Sequence, residues 1–356
     1  MAEAKSIETL SLSFTAGVVA GTFLPCSHPV PLLLLVILPF FFQDKLARLP
    51  AVPCAALIGT VFVGLGVFCA WSSSLAGLEN ASLLQRVADS AVLRLRKLID
   101  TLPFPSDGTA PLLKALLTAD RSGLSAETLQ VFRQSGAAHI LALSGLHMGI
   151  LYLIIDKLTR LVGHTPTARC LRAGLIVAAT GFYTLMTGAG PSIVRAFLFI
   201  LINETLKLLH RPRKPVRVLC LALLVQLVLN PSAITSVGFQ LSYLAMAGIF
   251  LLYPILEKWY PDGLHPDPLR KIWSMAALSI SCQLFTAPLA WYRFHSFPRF
   301  FLLTNLLALP LTTVLMGTAV MTVALGGIGL CPPLLIKTTD LLARLLLWVL
   351  EGIASL

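Results

Sequence analysis

Apolar residues come in long runs separated by short polar breaks. A helical span needs roughly 20 mostly apolar residues to cross about 30 Å of hydrocarbon. Candidate spans are Leu10–Leu24, Pro31–Phe42 and Val52–Trp71, the first two short enough to be tilted or to form a hairpin. A second series follows near His139–Ile155, Leu171–Thr187, Ile193–Leu209, Val218–Leu229, Val237–Leu256, Ile272–Trp291, Phe300–Leu325 and Leu334–Leu350. The pattern predicts an all-α, polytopic integral membrane protein with about ten or eleven transmembrane helices. Pro310 falls inside the run after Phe300 and predicts a kink or break there.

Between the two series, Ser72–Gly136 is mixed polar and apolar. Leu83, Leu84, Val87, Ala91, Leu95 and Leu98 recur at helical spacing, with Arg86, Asp89, Arg94 and Lys97 on the other side. This predicts an amphipathic interfacial helix, lying at the membrane surface or against the bundle. Three regions follow: residues 1–71 as N-terminal transmembrane helices, 72–136 as an outer-side amphipathic helical segment, and 137–356 as a polytopic core.

Loop charge sets the expected orientation. Four loops hold Lys45 and Arg48; Lys157, Arg160, Arg169 and Arg172; Arg211, Arg213, Lys214 and Arg217; and Lys258, Arg270 and Lys271. Short loops between them, such as Pro25–Pro29 and Asn230–Ser236, hold no Lys or Arg. Lys/Arg-rich loops stay in the cytoplasm, so the N-terminus is expected inside. Among the short loops only the one with Arg293 and Arg299 breaks the alternation. The first stretch, preceded by one Lys and two Glu and without a good cleavage site, reads as a retained span.

Composition agrees with this class: 56% of residues are hydrophobic and only 12% charged, against about 25% in soluble domains. The net charge of +11 is accounted for largely by the basic loops, without requiring nucleic acid. The seven cysteines form no CxxC pair and read as small buried hydrophobes rather than a disulfide framework or metal site. There is no P-loop, no H-E-x-x-H, no GxGxxG opening a helix and no histidine–aspartate metal cluster. No cofactor, no metal and no catalytic centre are expected.

Candidate chemistry lies in polar groups set within apolar runs, which are costly in lipid unless hidden or wet. Ser144 and His147 share a helical face, but a nucleophile elbow wants G-x-S-x-G and Ala142 stands at the first glycine. They read instead as tight packing by Ser144 and Gly145, with His139 and His147 facing a cavity. Arg195 follows Pro191 by four residues; it either snorkels to the outer interface or faces inward as a positive element for an anionic solute. Gln240, Gln283 and Asn305 interrupt apolar runs and either bond between helices or line a polar path. The nearby Trp291, Tyr292, Phe294 and Phe297 read as core or interfacial aromatics, a few of which could stack passing bases.

Five segments taken in order resemble the ComEC competence proteins, inner-membrane channels for single-stranded DNA in natural transformation. They are Leu116–Gly123, Ala138–Gly149 with Ser144-Gly-Leu-His147, Gly188–Ala196 with Pro191-Ser-x-x-Arg195, Gly238-Phe-Gln-Leu-Ser242, and Asn305-Leu-x-Ala-x-Pro310. Gly145, Gly149, Pro191, Gly238 and Pro310 are the structural positions of these motifs. The likeness covers roughly Leu112 to Leu325. It implies a bacterial inner-membrane location and a DNA path lined by Ser144, His147, Arg195, Gln240, Gln283 and Asn305. The OB-fold and metallo-β-lactamase-like domains of full-length members have no counterpart here, so the resemblance implies a channel-only member. Its expected partners are single-stranded DNA, membrane lipid, a cytoplasmic helicase or motor, a periplasmic DNA receptor, a separate nuclease and a second copy of the chain. Two alternatives stay open: a small-molecule or ion transporter built on broken helices near Gly188–Pro191 and Pro310, and a non-transporting membrane scaffold.

Overall fold

The computed structural model describes residues 2–23, 59–70, 83–160, 165–260, 268–295 and 298–356. The expected span Pro31–Phe42, the first seven residues of Val52–Trp71, the Lys45/Arg48 loop and Phe297 lie outside the described residues. Every regular element among the described residues is helical. In chain order they are α1 (Ala2–Phe23), α2 (Gly59–Ala70), α3 (Leu83–Thr101), α4 (Thr109–Thr118), α5 (Ala126–Gln134), α6 (Gly145–Thr159) and α7 (Pro166–Met186). Then come α8 (Pro191–Leu208), α9 (Pro215–Leu229), α10 (Val237–Leu251), α11 (Tyr253–Glu257), α12 (Pro268–Phe294), α13 (Phe301–Gly327) and α14 (Pro333–Ala354). Among the described residues, three helical stretches are long and apolar enough to cross a membrane: Val237–Glu257, Leu269–Phe294 and Phe301–Gly327.

The chain divides into two compact units. One comprises Met1–Ala81 and Leu198–Gln240. In it α1 crosses α2 backbone to backbone: a Cβ at Gly17 would collide with the Val63 carbonyl, and one at Gly66 with the Phe14 carbonyl. Small residues let apolar helices approach closely where lipid gives no hydrophobic drive between them. The Ser11 hydroxyl then donates to the Cys220 carbonyl at 3.0 Å, tying α1 to α9.

The second unit comprises Ser82–Phe197 and Leu241–Leu356. Its core joins Ile99 of α3, Leu112, Leu113 and Leu116 of α4, Phe132 of α5, Leu315 and Met316 of α13, and Leu346 and Leu350 of α14. Helix α3 buries Ala88, Val92 and Ile99; of the expected apolar face, Leu95 and Leu98 pack partly against the core, while Leu83, Leu84 and Val87 in its first turns are exposed. The region after it folds as two helices, α4 and α5, and α4 is buried along most of its length. At one end of α13 the Thr304 hydroxyl donates to the Ser135 carbonyl just after α5. At the other end Gly327 receives Leu98 of α3 and Gly326 receives Leu102 just after it. Residues 83–136 therefore run alongside the whole of α13, about 40 Å of helix at 1.5 Å per residue.

Asp340, 1% exposed on α14, holds this arrangement. It accepts from the Ser106 N–H and hydroxyl (both 3.1 Å) and from the Thr109 hydroxyl (2.6 Å), and pairs with Arg344 at 3.2 Å. A buried carboxylate is tolerable only when its lone pairs are filled in this way. Helix α13 continues through Pro310, and α12 through Pro288.

Candidate functional site

The turn Ala119–Ser122 prepares the site. Ala119 caps α4 at φ 59°, a left-handed conformation that turns the chain sharply. Asp120 accepts from the Ser122 hydroxyl (2.6 Å) and N–H (3.1 Å), which hold its carboxyl below the usual carboxylate range, with Arg96 assisting at 3.3 Å. Arg121 then reaches the Leu141 carbonyl at 2.9 Å. This bond ties the 116–123 segment to the 138–149 segment and fixes the approach to α6.

Ser144 is the N-cap of α6. Its oxygen accepts from the Leu146 N–H at 3.2 Å, and its own N–H donates to His147 Nδ1 at 3.3 Å. This is a capping box with histidine in place of the usual Glu or Gln. Because Nδ1 accepts, the proton of the neutral ring sits on Nε2. His147 is 2% exposed, and among the described residues Nε2 has no hydrogen-bond partner. A buried N–H donor is thus left without an acceptor. The Ser144 hydroxyl lies 3.1 Å from Nδ1, a nucleophile–base distance, but no carboxylate orients the ring among the described residues.

The second contributor is α8. The turn before it places Ala189 at φ 48° and Gly188 at φ 79°, and Pro191 opens the helix where a missing N–H costs nothing. Arg195, one turn in, is 8% exposed, so its side chain turns into the protein rather than outward. Its Nη1 donates to the Ser242 carbonyl of α10. Its Nη2 lies against Gly145: a Cβ there would be 3.2 Å away. Tyr243 and Cys282 are within electrostatic reach. A Cβ at Gly248 of α10 would collide with the Ser281 carbonyl of α12, so these two helices close the far side.

No carboxylate pairs with Arg195 among the described residues. The guanidinium instead faces the start of α6, whose unpaired N–H groups amount to about half a positive charge. At about 5 Å and an effective dielectric near 20, the two repel by roughly 1–2 kcal/mol. The same helix start carries the unpartnered His147 Nε2–H. The locus gathers donors and positive charge and offers nothing negative, which suits an oxyanion.

The family model of the Competence protein family matches residues 116–356, more than half of the chain. The chain belongs to this family. It is similar to ComE operon protein 3 of Bacillus subtilis (28% identical over 246 residues, 68% of this chain and 30% of the relative). It is also similar to the uncharacterized protein YcaI of Escherichia coli (28% over 289 residues, 77% and 37%) and to Recombination protein 2 of Haemophilus influenzae (25% over 258 residues, 69% and 32%). The chain spans about a third of the length of these relatives. No solved structure matches.

In this Competence-family chain, Arg195 lies against Gly145, next to Ser144, which pairs with His147. Gln240 belongs to the other unit, where its Nε2 donates to the Ile234 carbonyl at 2.7 Å and closes the Pro231–Thr235 turn. Gln283 is half-buried on α12. Asn305 sits near the start of α13 with its Oδ1 buried and unpartnered among the described residues. Gly149 and Gly238 have no atom within 3.4 Å of an added Cβ, so neither is needed for close packing. Two contributors escaped the sequence reading. The Ser144-x-x-His147 spacing matches a capping box once histidine is allowed at its third position, and Arg121 carries a carbonyl clamp that spacing alone does not reveal.

Proposed function

We propose that the chain serves DNA uptake as a membrane channel component through which single-stranded DNA passes during transformation. The observation that carries this reading is Arg195, buried without a carboxylate against the capped start of a helix that also carries an unpartnered histidine N–H. A phosphodiester supplies the missing negative charge, and the three donors are those that recognise it. The names of the relatives, a ComE operon protein and a recombination protein, agree with a role in handling DNA. No base is read at such a site, because phosphate contacts carry no sequence information. The reading includes a multi-pass inner-membrane location with the N-terminus in the cytoplasm, no catalytic step of its own, and work supplied by a separate motor.

Transformation frequency tests it. Arg195→Ala should lower DNA import about 10-fold or more, the size expected when a charge-assisted bond to phosphate is lost, while membrane protein level and surface-bound DNA stay unchanged. Normal transformation by this variant sinks the reading. Uptake of a small anion into proteoliposomes, abolished by the same substitution, would instead favour a transporter.

A further inference from the structure

The turn between α12 and α13 presents groups that the Arg195 locus does not use. Trp291, Tyr292 and Phe294 are 58%, 73% and 60% exposed. Helical neighbours are about 100° apart, so these three rings share an arc of about 160° at the end of α12. Arg293 lies among them with its guanidinium 5.9 Å from the centre of the Tyr292 ring. Arg299 is exposed across the turn.

Pro298 rests on Gly136, where an added Cβ would come within 2.7 Å of it, and Thr304 bonds the Ser135 carbonyl. The turn is thereby held at the end of α5, which carries exposed Arg133. No carboxylate pairs with these three arginines among the described residues. Loop charge points the same way, since this is the one short loop that breaks the alternation of basic and uncharged loops.

We propose that this turn is a landing platform for single-stranded nucleic acid. Bases stack on Trp291, Tyr292 and Phe294, and phosphates are held by Arg293, Arg299 and Arg133. The proposal rests on the DNA-uptake reading and adds the place where the strand is first held. Every base has a π-face, so stacking is indifferent to sequence, and the arginines make binding salt-dependent.

The test uses the full chain in nanodiscs of zwitterionic lipid, with labelled oligothymidylate and an abasic oligonucleotide of equal length. Trp291→Ala with Phe294→Ala should weaken oligothymidylate binding about tenfold or more and leave abasic binding unchanged. Trp291→Phe, which keeps a ring, should retain most of the affinity. Arg293→Gln with Arg299→Gln should weaken both ligands and reduce the log–log salt slope by about 1.4, at about 0.7 per phosphate contact. Equal affinity for the two oligonucleotides, or unchanged affinity in the aromatic double variant with a lipid-dependent change in its melting, would assign the rings to a membrane belt and overturn the proposal. The assay needs no transport. A failed platform therefore shows as unchanged affinity, while a failed uptake reading shows as normal transformation by Arg195→Ala.

Discussion

Gly145→Ala should separate the candidate site from the fold around it. The new Cβ would stand 3.2 Å from Arg195 Nη2, a few tenths of an ångström inside ordinary contact. The guanidinium is a rigid plane, so moving Nη2 also tilts Nη1 away from the Ser242 carbonyl. A charge-assisted bond contributes about 1.5–3 kcal/mol. Weakening it by a third to a half costs about 0.5–1.5 kcal/mol, or roughly a 2- to 12-fold loss in import. Alanine is meanwhile a better helix former than glycine by up to about 1 kcal/mol, so melting temperature should hold or rise. Gly145→Val should lose more import. The decisive measurement is a double-mutant cycle on transformation frequency. Arg195→Lys has no Nη2, so adding Gly145→Ala to it should cost nothing further. Additive losses in the cycle, or normal import by Gly145→Val, would refute the contact as the cause.

Asp340→Ala leaves the buried Thr109 hydroxyl, the two half-buried Ser106 donors and Arg344 without their acceptor and should destabilise the second unit by about 3 kcal/mol or more, read as lost membrane protein level; Asp340→Asn should lose less. Gly17→Leu should block the α1–α2 crossing and lower protein level, whereas Gly149→Ala, with open space at its Cβ, should not. Asp120 carries a depressed carboxyl, so its contribution is fully present above the unfolded value of about 3.9 and is lost as pH falls through the lower folded value. Proteolysis at the 119–122 turn should therefore rise in that acid window, and Asp120→Asn should be susceptible at every pH.

Apolar runs located most helices because burial in lipid or in a bundle imposes the same composition. Pro215–Leu229 and Pro333–Ala354 lie close to their expected bounds, with proline opening each. The run Val237–Leu256 divides at Leu252, before Pro254, because proline has no N–H to donate to the carbonyl of the preceding turn. Helix α4 was illegible: it is short, carries Lys114, and that charge is balanced by Asp100 at 2.7 Å, a pairing no local pattern shows. The close crossing of α1 had a signal, Gly17-x-x-x-Gly21 in an apolar stretch, that the span count passed over. At the site, the helix starts at Ser144 and Pro191 follow from residue type. The meeting of Arg195 with Gly145 and the Ser242 carbonyl joins three helices and is a tertiary fact.

The Asp340 contacts join residues that are 231 and 234 positions apart. A ribosome adding about 5–20 residues per second makes Asp340 roughly 10–50 s after Thr109. Throughout that interval α4, with its leucines and its charged Lys114, has neither its core partner nor its carboxylate anchor. The nascent chain must shelter this helix, in the bilayer edge or on an insertase, until α14 arrives. Assembly of the second unit thus waits for the last helix, and truncations within α14 should leave a chain that inserts but is degraded rather than one that works poorly.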